Sequence, residues 1–378
     1  MKLFDVYPLF NIEPVKAQGS WLWDKEGKKY LDLYGGHAVI SIGHNHPHFV
    51  EALKSQLDKI SFYSNSIKNE LQEKLAEKLG ILSGYPQHQL FLCNSGAEAN
   101  ENAMKLASFV NGRKKIIAFK KAFHGRTSGA VAATDNPKIV APFNAGHEIE
   151  FLPLNDESAF IKAINKEVAA VIIEGIQGVG GIHIPESSFL QLLSKKCKEL
   201  GTLLILDEVQ SGYGRTGKFF AHQFANIEAD IITIAKGMGN GFPVGGVLIH
   251  PTIKPWAGML GTTFGGNYLA CAAALSVLDV IESENLMQHA AKLGQYWMNE
   301  LKNFPSILEI RGEGLMIGFD LPDSLANLRK DLLFKHSIFT GEAKPNTVRL
   351  LPSLAMSKAE ADILLEALSI ELKKTATV

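Results

Sequence analysis

The strongest constraint on the fold is a series of short apolar runs in the middle of the chain, separated by helix-like stretches. They span residues 89–92, 115–119, 169–173, 202–206, 230–235 and 246–249. Most are rich in Ile, Leu and Val and do not alternate, as strands buried on both faces should not. Amphipathic segments such as 186–199 lie between them. The pattern predicts an α/β fold, with a mostly parallel central sheet and helices on both faces. Beyond about residue 265 the texture changes. Residues 268–303 read as one long helix, 307–320 as a strand pair around Gly312-Glu313-Gly314, and 358–374 as a helix. These form a smaller α/β domain. An apparent hairpin, Trp21-Leu22-Trp23 and then 29–33, fits against either part. The expected division is an N-terminal segment (1–45) packing with the small domain, a large domain (46–265) and a small domain (266–378).

The formal net charge of the 378 residues is −1, so no global field draws in nucleic acid or an anionic membrane. No apolar run reaches membrane-spanning length. The best candidate, 269–281, contains Ser276 and Asp279 and reads as a buried helix. Three dispersed cysteines (Cys93, Cys197, Cys271) without CxxC spacing fit a reducing compartment. The first residues hold no signal-like apolar stretch. The cytoplasm is the expected location.

In open parallel sheets, ligands bind beyond the carboxyl ends of the strands. Five of the runs end in polar groups: Asn94-Ser95-Gly96-Ala97-Glu98, Phe123-His124-Gly125-Arg126, Glu174, Asp207-Glu208 and Lys236-Gly237. Ser95-x-x-Glu98 is a capping box, and its small residues also let a phosphate approach the N–H groups of a helix N-terminus. Asp207, after four apolar residues, wants either a salt bridge or a cationic ligand such as a protonated pyridine nitrogen. Lys236 at a desolvated strand end suits Schiff-base chemistry. Two other motifs are decoys. Residues 212–218 match GxxxxGK, but Phe219 stands where a P-loop needs Ser or Thr. His44-Asn45-His46-Pro47-His48 reads as a turn opening a helix rather than a metal site.

Together these blocks, with Glu174-Gly175-Ile176-Gln177-Gly178, Leu206 to Gly217 and Gly261-Thr262-Thr263-Phe264-Gly265-Gly266-Asn267, resemble the class III aminotransferases over nearly the whole chain. Within that class the chain looks most like the acetylornithine and succinylornithine enzymes of arginine biosynthesis. The resemblance implies a fold-type-I transferase dependent on pyridoxal 5'-phosphate, whose large domain binds the cofactor. It implies that Lys236 carries the cofactor, that Asp207 pairs with its ring nitrogen, and that Val209 and Phe123 cover its two faces. Ser95, Gly96 and Ala97 would surround the phosphate, and Gln210 and Glu174 would complete the polar surround. Thr263 would reach the phosphate of a neighbouring subunit, so a homodimer is expected. Arg126 and Arg349 would bind substrate carboxylates, as bidentate forks suited to 2-oxoglutarate. The implied reaction moves the terminal amino group of an acetyl- or succinyl-ornithine to 2-oxoglutarate. The alternatives are an ornithine or 4-aminobutyrate transaminase, a PLP-dependent aminomutase and a non-catalytic ligand-binding protein.

Two positions depart from the related enzymes. They carry a second glutamate where this chain has Val179, a residue thought to neutralise the arginine matching Arg349. Arg349 is therefore expected to stay free for an anion in both half-reactions, which favours a donor with an extra carboxylate. His37 lies near a tyrosine position of the ornithine enzymes, which argues against free ornithine; it either contacts substrate or packs.

Overall fold

The computed structural model describes residues 1–373. Its centre is a seven-stranded sheet ordered Gln89–Cys93, Gly245–Ile249, Ile231–Ile234, Leu203–Asp207, Val168–Glu174, Lys115–Phe119, Ile149–Leu152. Neighbours run parallel except for Gly245–Ile249, which is antiparallel to both of its partners. The lack of alternation in the runs has a direct cause. Leu204 and Leu206 enter one apolar cluster, while Leu203 and Ile205 enter another on the opposite face. All seven residues of Val168–Glu174 are buried. The sheet is thus covered twice, and its strand ends are the places where polar groups meet a cleft.

Ile149–Leu152 was not expected. It is a half-buried edge strand paired on one side only, and Glu150 within it pairs with Lys115 at 2.7 Å. An edge strand tolerates such charge, which hides the apolar signal.

The expected long helix over 268–303 is two helices, Tyr268–Ser283 and Leu286–Leu301. Asn285 breaks them by adopting a left-handed conformation (φ 52°), which asparagine tolerates better than most residues. Glu309–Glu313 and Met316–Asp320 form the expected hairpin, extended by Thr347–Leu350 and Gly341–Ala343 into an antiparallel sheet. The last helix is Lys358–Lys373; Lys374 lies outside the described residues.

The N-terminal hairpin, Trp21–Asp24 with Lys29–Asp32, meets the C-terminal part of the chain. Ile338–Phe339 pairs parallel with Lys29–Asp32, and the Trp21 indole donates to Glu360 at 2.6 Å. Pro47 opens the helix Pro47–Leu57, as the histidine-rich turn implied. Its histidines have separate partners: His44 pairs with Asp32, His46 with Glu284 and His48 with Asp279. Among the described residues no helix is long and apolar enough to cross a membrane.

Candidate active site

Beyond the carboxyl ends of the parallel strands lies a cavity of about 350 Å³. Ser95, Gly96, Ala97, Phe123, Arg126, Glu174, Asp207, Val209, Gln210 and Lys236 all line it. Ten residues from five segments of the chain therefore converge on one space. A second cavity of about 530 Å³ adjoins it, sharing Phe123 and Val179.

Asp207 ends the strand Leu203–Asp207 and is 4% exposed. Its Oδ2 accepts from the Asn100 amide and from His124 Nδ1, each at 2.7 Å. Its Oδ1 accepts the Val209 N–H at 3.0 Å. Asn100 is itself fixed, donating also to the His124 carbonyl and accepting from the Thr233 hydroxyl at 2.6 Å. The carboxylate is thus held from behind and keeps acceptor capacity toward the cavity. A cationic N–H of a flat ring is the partner such a group takes.

Lys236 follows the strand Ile231–Ile234 in a left-handed conformation (φ 47°). A non-glycine residue held there is strained, and such strain clusters at functional sites. Burial lowers its ammonium pKa; Asp207 and Glu174 oppose this, while Arg349 adds to it. A lysine less firmly protonated than usual is a nucleophile toward carbonyls.

Glu174 ends the strand Val168–Glu174, and its two oxygens accept the Phe123 and Gly178 N–H groups at 3.0 and 2.9 Å. Burial pushes its carboxyl up to about 7. Gln210 donates to the His37 carbonyl at 3.0 Å, while its Oε1 is buried without a partner among the described residues.

Ser95 caps the helix Gly96–Asn111, its Oγ accepting the Glu98 N–H at 3.2 Å. Glu98 returns the bond to the Asn94 N–H at 2.8 Å, one residue earlier than the usual capping box. The first-turn N–H groups of Gly96 and Ala97 face no helical acceptor, the place where an anion is stabilised. Glycine is required at position 96: a Cβ there would come within 2.6 Å of Val209 Cγ1. The walls formed by Phe123 and Val209 are apolar. This donor set fits pyridoxal phosphate: a phosphate at the helix start, a carboxylate for the ring nitrogen and an amine for the aldehyde.

Of the other expected residues, Arg126 lines the first cavity, while Arg349 and His37 line neither. Arg126 is exposed at the cavity mouth. Arg349 is 3% exposed and donates to the carbonyls of Glu342 and Gly178. The His37 ring lies against Tyr34 at a tilt of 57° and bonds its hydroxyl. Partial desolvation of that ring, which keeps one side open to solvent, with Arg349 and then Lys236, pushes the His37 pKa down to about 4. Thr263 is exposed and lines neither cavity. Sequence reasoning assigned no role to Asn100 or His124. His124 stands inside a quoted motif and Asn100 two residues past another, and a buried Asp207 demands donors, but spacing alone does not say which residues supply them.

Comparison with known proteins is consistent with this site. The family model described as aminotransferase class III matches residues 5–372. An acetylornithine aminotransferase of Bacillus subtilis is 42% identical over 370 residues, covering 95% of this chain and 94% of that protein. One from Archaeoglobus fulgidus is 41% identical over 350 residues, covering 92% of each. Among solved structures, the acetylornithine aminotransferase of Elizabethkingia anophelis superposes with a TM-score of 0.83 at 30% identity, covering 97% of this chain and 95% of that one. The ornithine aminotransferase of Toxoplasma gondii gives 0.88 at 27%, covering 96% and 92%.

Proposed function

This chain belongs to the class III aminotransferases, which depend on pyridoxal phosphate, and from that premise we propose that it transfers the terminal amino group of an N-acylornithine to 2-oxoglutarate. The products are the N-acylglutamate semialdehyde and glutamate, as arginine biosynthesis requires. The exchange balances: the donor's terminal carbon is oxidised by two electrons from amine to aldehyde. The oxo carbon of 2-oxoglutarate is reduced by two to an amine. The observation that carries the reading is the meeting of Lys236, Asp207 and the Gly96 helix start in one cavity of about 350 Å³. The relatives named acetylornithine aminotransferase support the choice of donor.

Bound pyridoxal phosphate supplies an electron sink for the carbon next to the transferred nitrogen. The protein supplies the rest. Lys236 would hold the cofactor and, when released, carry the proton between donor and cofactor carbons. Asp207, kept in place by His124 and Asn100, would hold a proton on the ring nitrogen. Phe123 and Val209 would cover the ring. Ser95 and the N–H groups of Gly96 and Ala97 would bind the phosphate. Arg126 and Arg349 would bind carboxylates, and His37, neutral at pH 7, would meet substrate through hydrogen bonds.

The working unit in this reading is a cytoplasmic homodimer. Thr263, exposed beside the ring pair Phe62–Phe264, is offered to a second copy, with Phe62, Tyr63 and Phe264 as exposed apolar surface. Three free, buried cysteines fit a reducing compartment. We also keep 1–45 with the small domain (266–378) against the large domain (46–265), on the strength of the Lys29–Asp32 and Ile338–Phe339 pairing.

An amino-donor panel with 2-oxoglutarate as acceptor tests the function. N-acylornithines should exceed ornithine, succinyldiaminopimelate and 4-aminobutyrate in kcat/KM by at least about tenfold, a difference of ~1.4 kcal/mol. A best donor without an acyl group overturns the proposal.

A further inference from the structure

Arg349 is a buried cation that forms no salt bridge among the described residues. Its Nε and Nη1 donate to the carbonyls of Glu342 and Gly178 at 2.8 and 2.9 Å, and both acceptors are neutral. The Glu342 carboxylate turns away to Arg329 and is 68% exposed. The Arg349 guanidinium lies over the Tyr34 ring, 5.9 Å from its centre, and pairs with no carboxylate among the described residues. Its surroundings do not make up for this. Arg349 and Lys236 both depress His37, and Arg349 depresses Lys236. Tyr34 offers a neutral hydroxyl; of the two acids that reach Arg349, Glu174 has its carboxyl raised to about 7 and its oxygens taken by two N–H groups, and Glu342 is held by Arg329. A buried charge left in this state is costly, and an anion beside it removes much of that cost.

An oxo acid brings such an anion next to its reacting carbon. An ω-amine donor has only hydrogen there. The residue placed to supply a counter-ion from the chain is Val179. It directly follows the carbonyl that Arg349 holds, is 37% exposed and lines both cavities. It has no charge to give.

We infer that Arg349 takes up a small anion in the amine half-reaction as well as in the oxo-acid half-reaction, so that this enzyme works on ω-amines only with a carboxylate or similar monoanion bound beside them. The inference rests on the N-acylornithine reading for its donors but not for its geometry. Two sources share the chemistry: a free anion such as formate or chloride, or a carboxylate on the donor's own acyl arm, as in a succinyl group. The amino exchange itself is the same in either case.

The test follows the donor half-reaction of the cofactor-loaded enzyme, without oxo acid, at constant ionic strength balanced with a bulky buffer sulfonate that is too large for the pocket beside a buried guanidinium. If the anion is free, formate raises kcat/KM for N-acetylornithine at least fivefold, and saturably. If the acyl arm supplies it, formate does nothing and N-succinylornithine exceeds N-acetylornithine at least tenfold. In both cases Val179→Glu removes the effect, because the new carboxylate neutralises Arg349, while Val179→Gln keeps it. Calorimetry with formate gives a readout independent of turnover: the wild type and Val179→Gln bind it, and Val179→Glu binds at least tenfold more weakly. Equal rates for both donors, no response to formate and no change in Val179→Glu overturn the inference. If neither N-acylornithine reacts, the donor reading has failed, and the same measurements on the best amine of the panel decide the anion site separately.

Discussion

Asp207 and Glu208 are neighbours in the chain, both buried, and each pairs with a histidine at 2.7 Å, yet they face different sides of one strand end. Glu208 points into the core. Its two oxygens receive four donors: the Ser211 hydroxyl, the N–H groups of Ala221 and His222, and His222 Nδ1. His222 Nε2 then bonds the buried Tyr85 hydroxyl at 2.6 Å. Asp207 receives three donors and lines the cavity. A carboxylate has about four lone-pair sites. Glu208 is therefore full and Asp207 is one short. Burial and a histidine partner do not mark a functional carboxylate; an unfilled acceptor beside a cavity does.

The largest expected effect lies on the cavity side. Replacing Lys236 by Ala should lower kcat by at least about 10⁴-fold, since it removes the cofactor's attachment and the proton carrier together. The melting temperature of the cofactor-free protein should change little, because the Lys236 side chain makes no hydrogen bond that holds the core among the described residues. Retained covalent cofactor in the variant, seen by absorbance after dialysis, would refute the assignment. On the core side the pattern reverses. Glu208→Ala strands His222, Ser211 and two N–H groups, and should cost about 3–5 kcal/mol of stability. The surviving folded enzyme should keep most of its kcat. If kcat collapses while the melting point holds, Glu208 belongs to the site and the contrast fails.

Glu174 stands between the two cases, with both oxygens occupied by N–H groups but a place in the cavity wall. Burial raises its carboxyl from 4.5 to about 7. The folded state thus holds a proton that the unfolded chain has lost. The stabilisation is complete below about pH 4.5, falls as pH rises toward 7 and levels off above that. It amounts to at most ~3 kcal/mol. Thermal unfolding between about pH 5 and pH 8 should show this decline in the wild type and a flatter profile in Glu174→Gln. Parallel profiles would mean that the two N–H bonds outweigh burial and that Glu174 is an ordinary anion.

How legible all this was in the sequence follows from the same contrast. The sheet was readable because double burial leaves runs such as 202–206 without alternation. Its edge strand Ile149–Leu152 was not, because pairing on one side admits charges like Glu150. The helix break at Asn285 was hidden because a single left-handed asparagine leaves the apolar periodicity intact. Ser95, Arg126, Glu174, Asp207 and Lys236 were nameable because a polar group just past an apolar strand has few places to point, whereas Phe123, Val209 and Gln210 were named only through the resemblance to class III aminotransferases. Asn100 and His124 were not assigned, since their partner lies 107 and 83 residues away and only the fold brings them together. Nothing local separates Asp207 from Glu208; the division of labour appears only when donors are counted in space.

The finest test of the contrast is the His124 pair. His124→Ala removes one of two donors on Asp207 Oδ2, leaving Asn100 in place. A hydrogen bond to a charged group is worth about 1.5–3 kcal/mol, so kcat should fall about ten- to a hundredfold. His124 lines the cavity, but its bond is to Asp207, and its Nε2 is buried without a partner among the described residues. It is a positioning residue, acting through Asp207. Asn at this position can present its amide where Nδ1 stood, so His124→Asn should recover most of the loss. A merely structural role predicts an equal drop in melting point for both variants and no recovery of kcat in His124→Asn. The pH dependence of the bound cofactor's absorbance separates the two readings: Ala should move it, by weakening the anion that keeps the ring nitrogen protonated, and Asn should restore it. An unmoved spectrum alongside a lowered melting point would make His124 as much a core residue as His222.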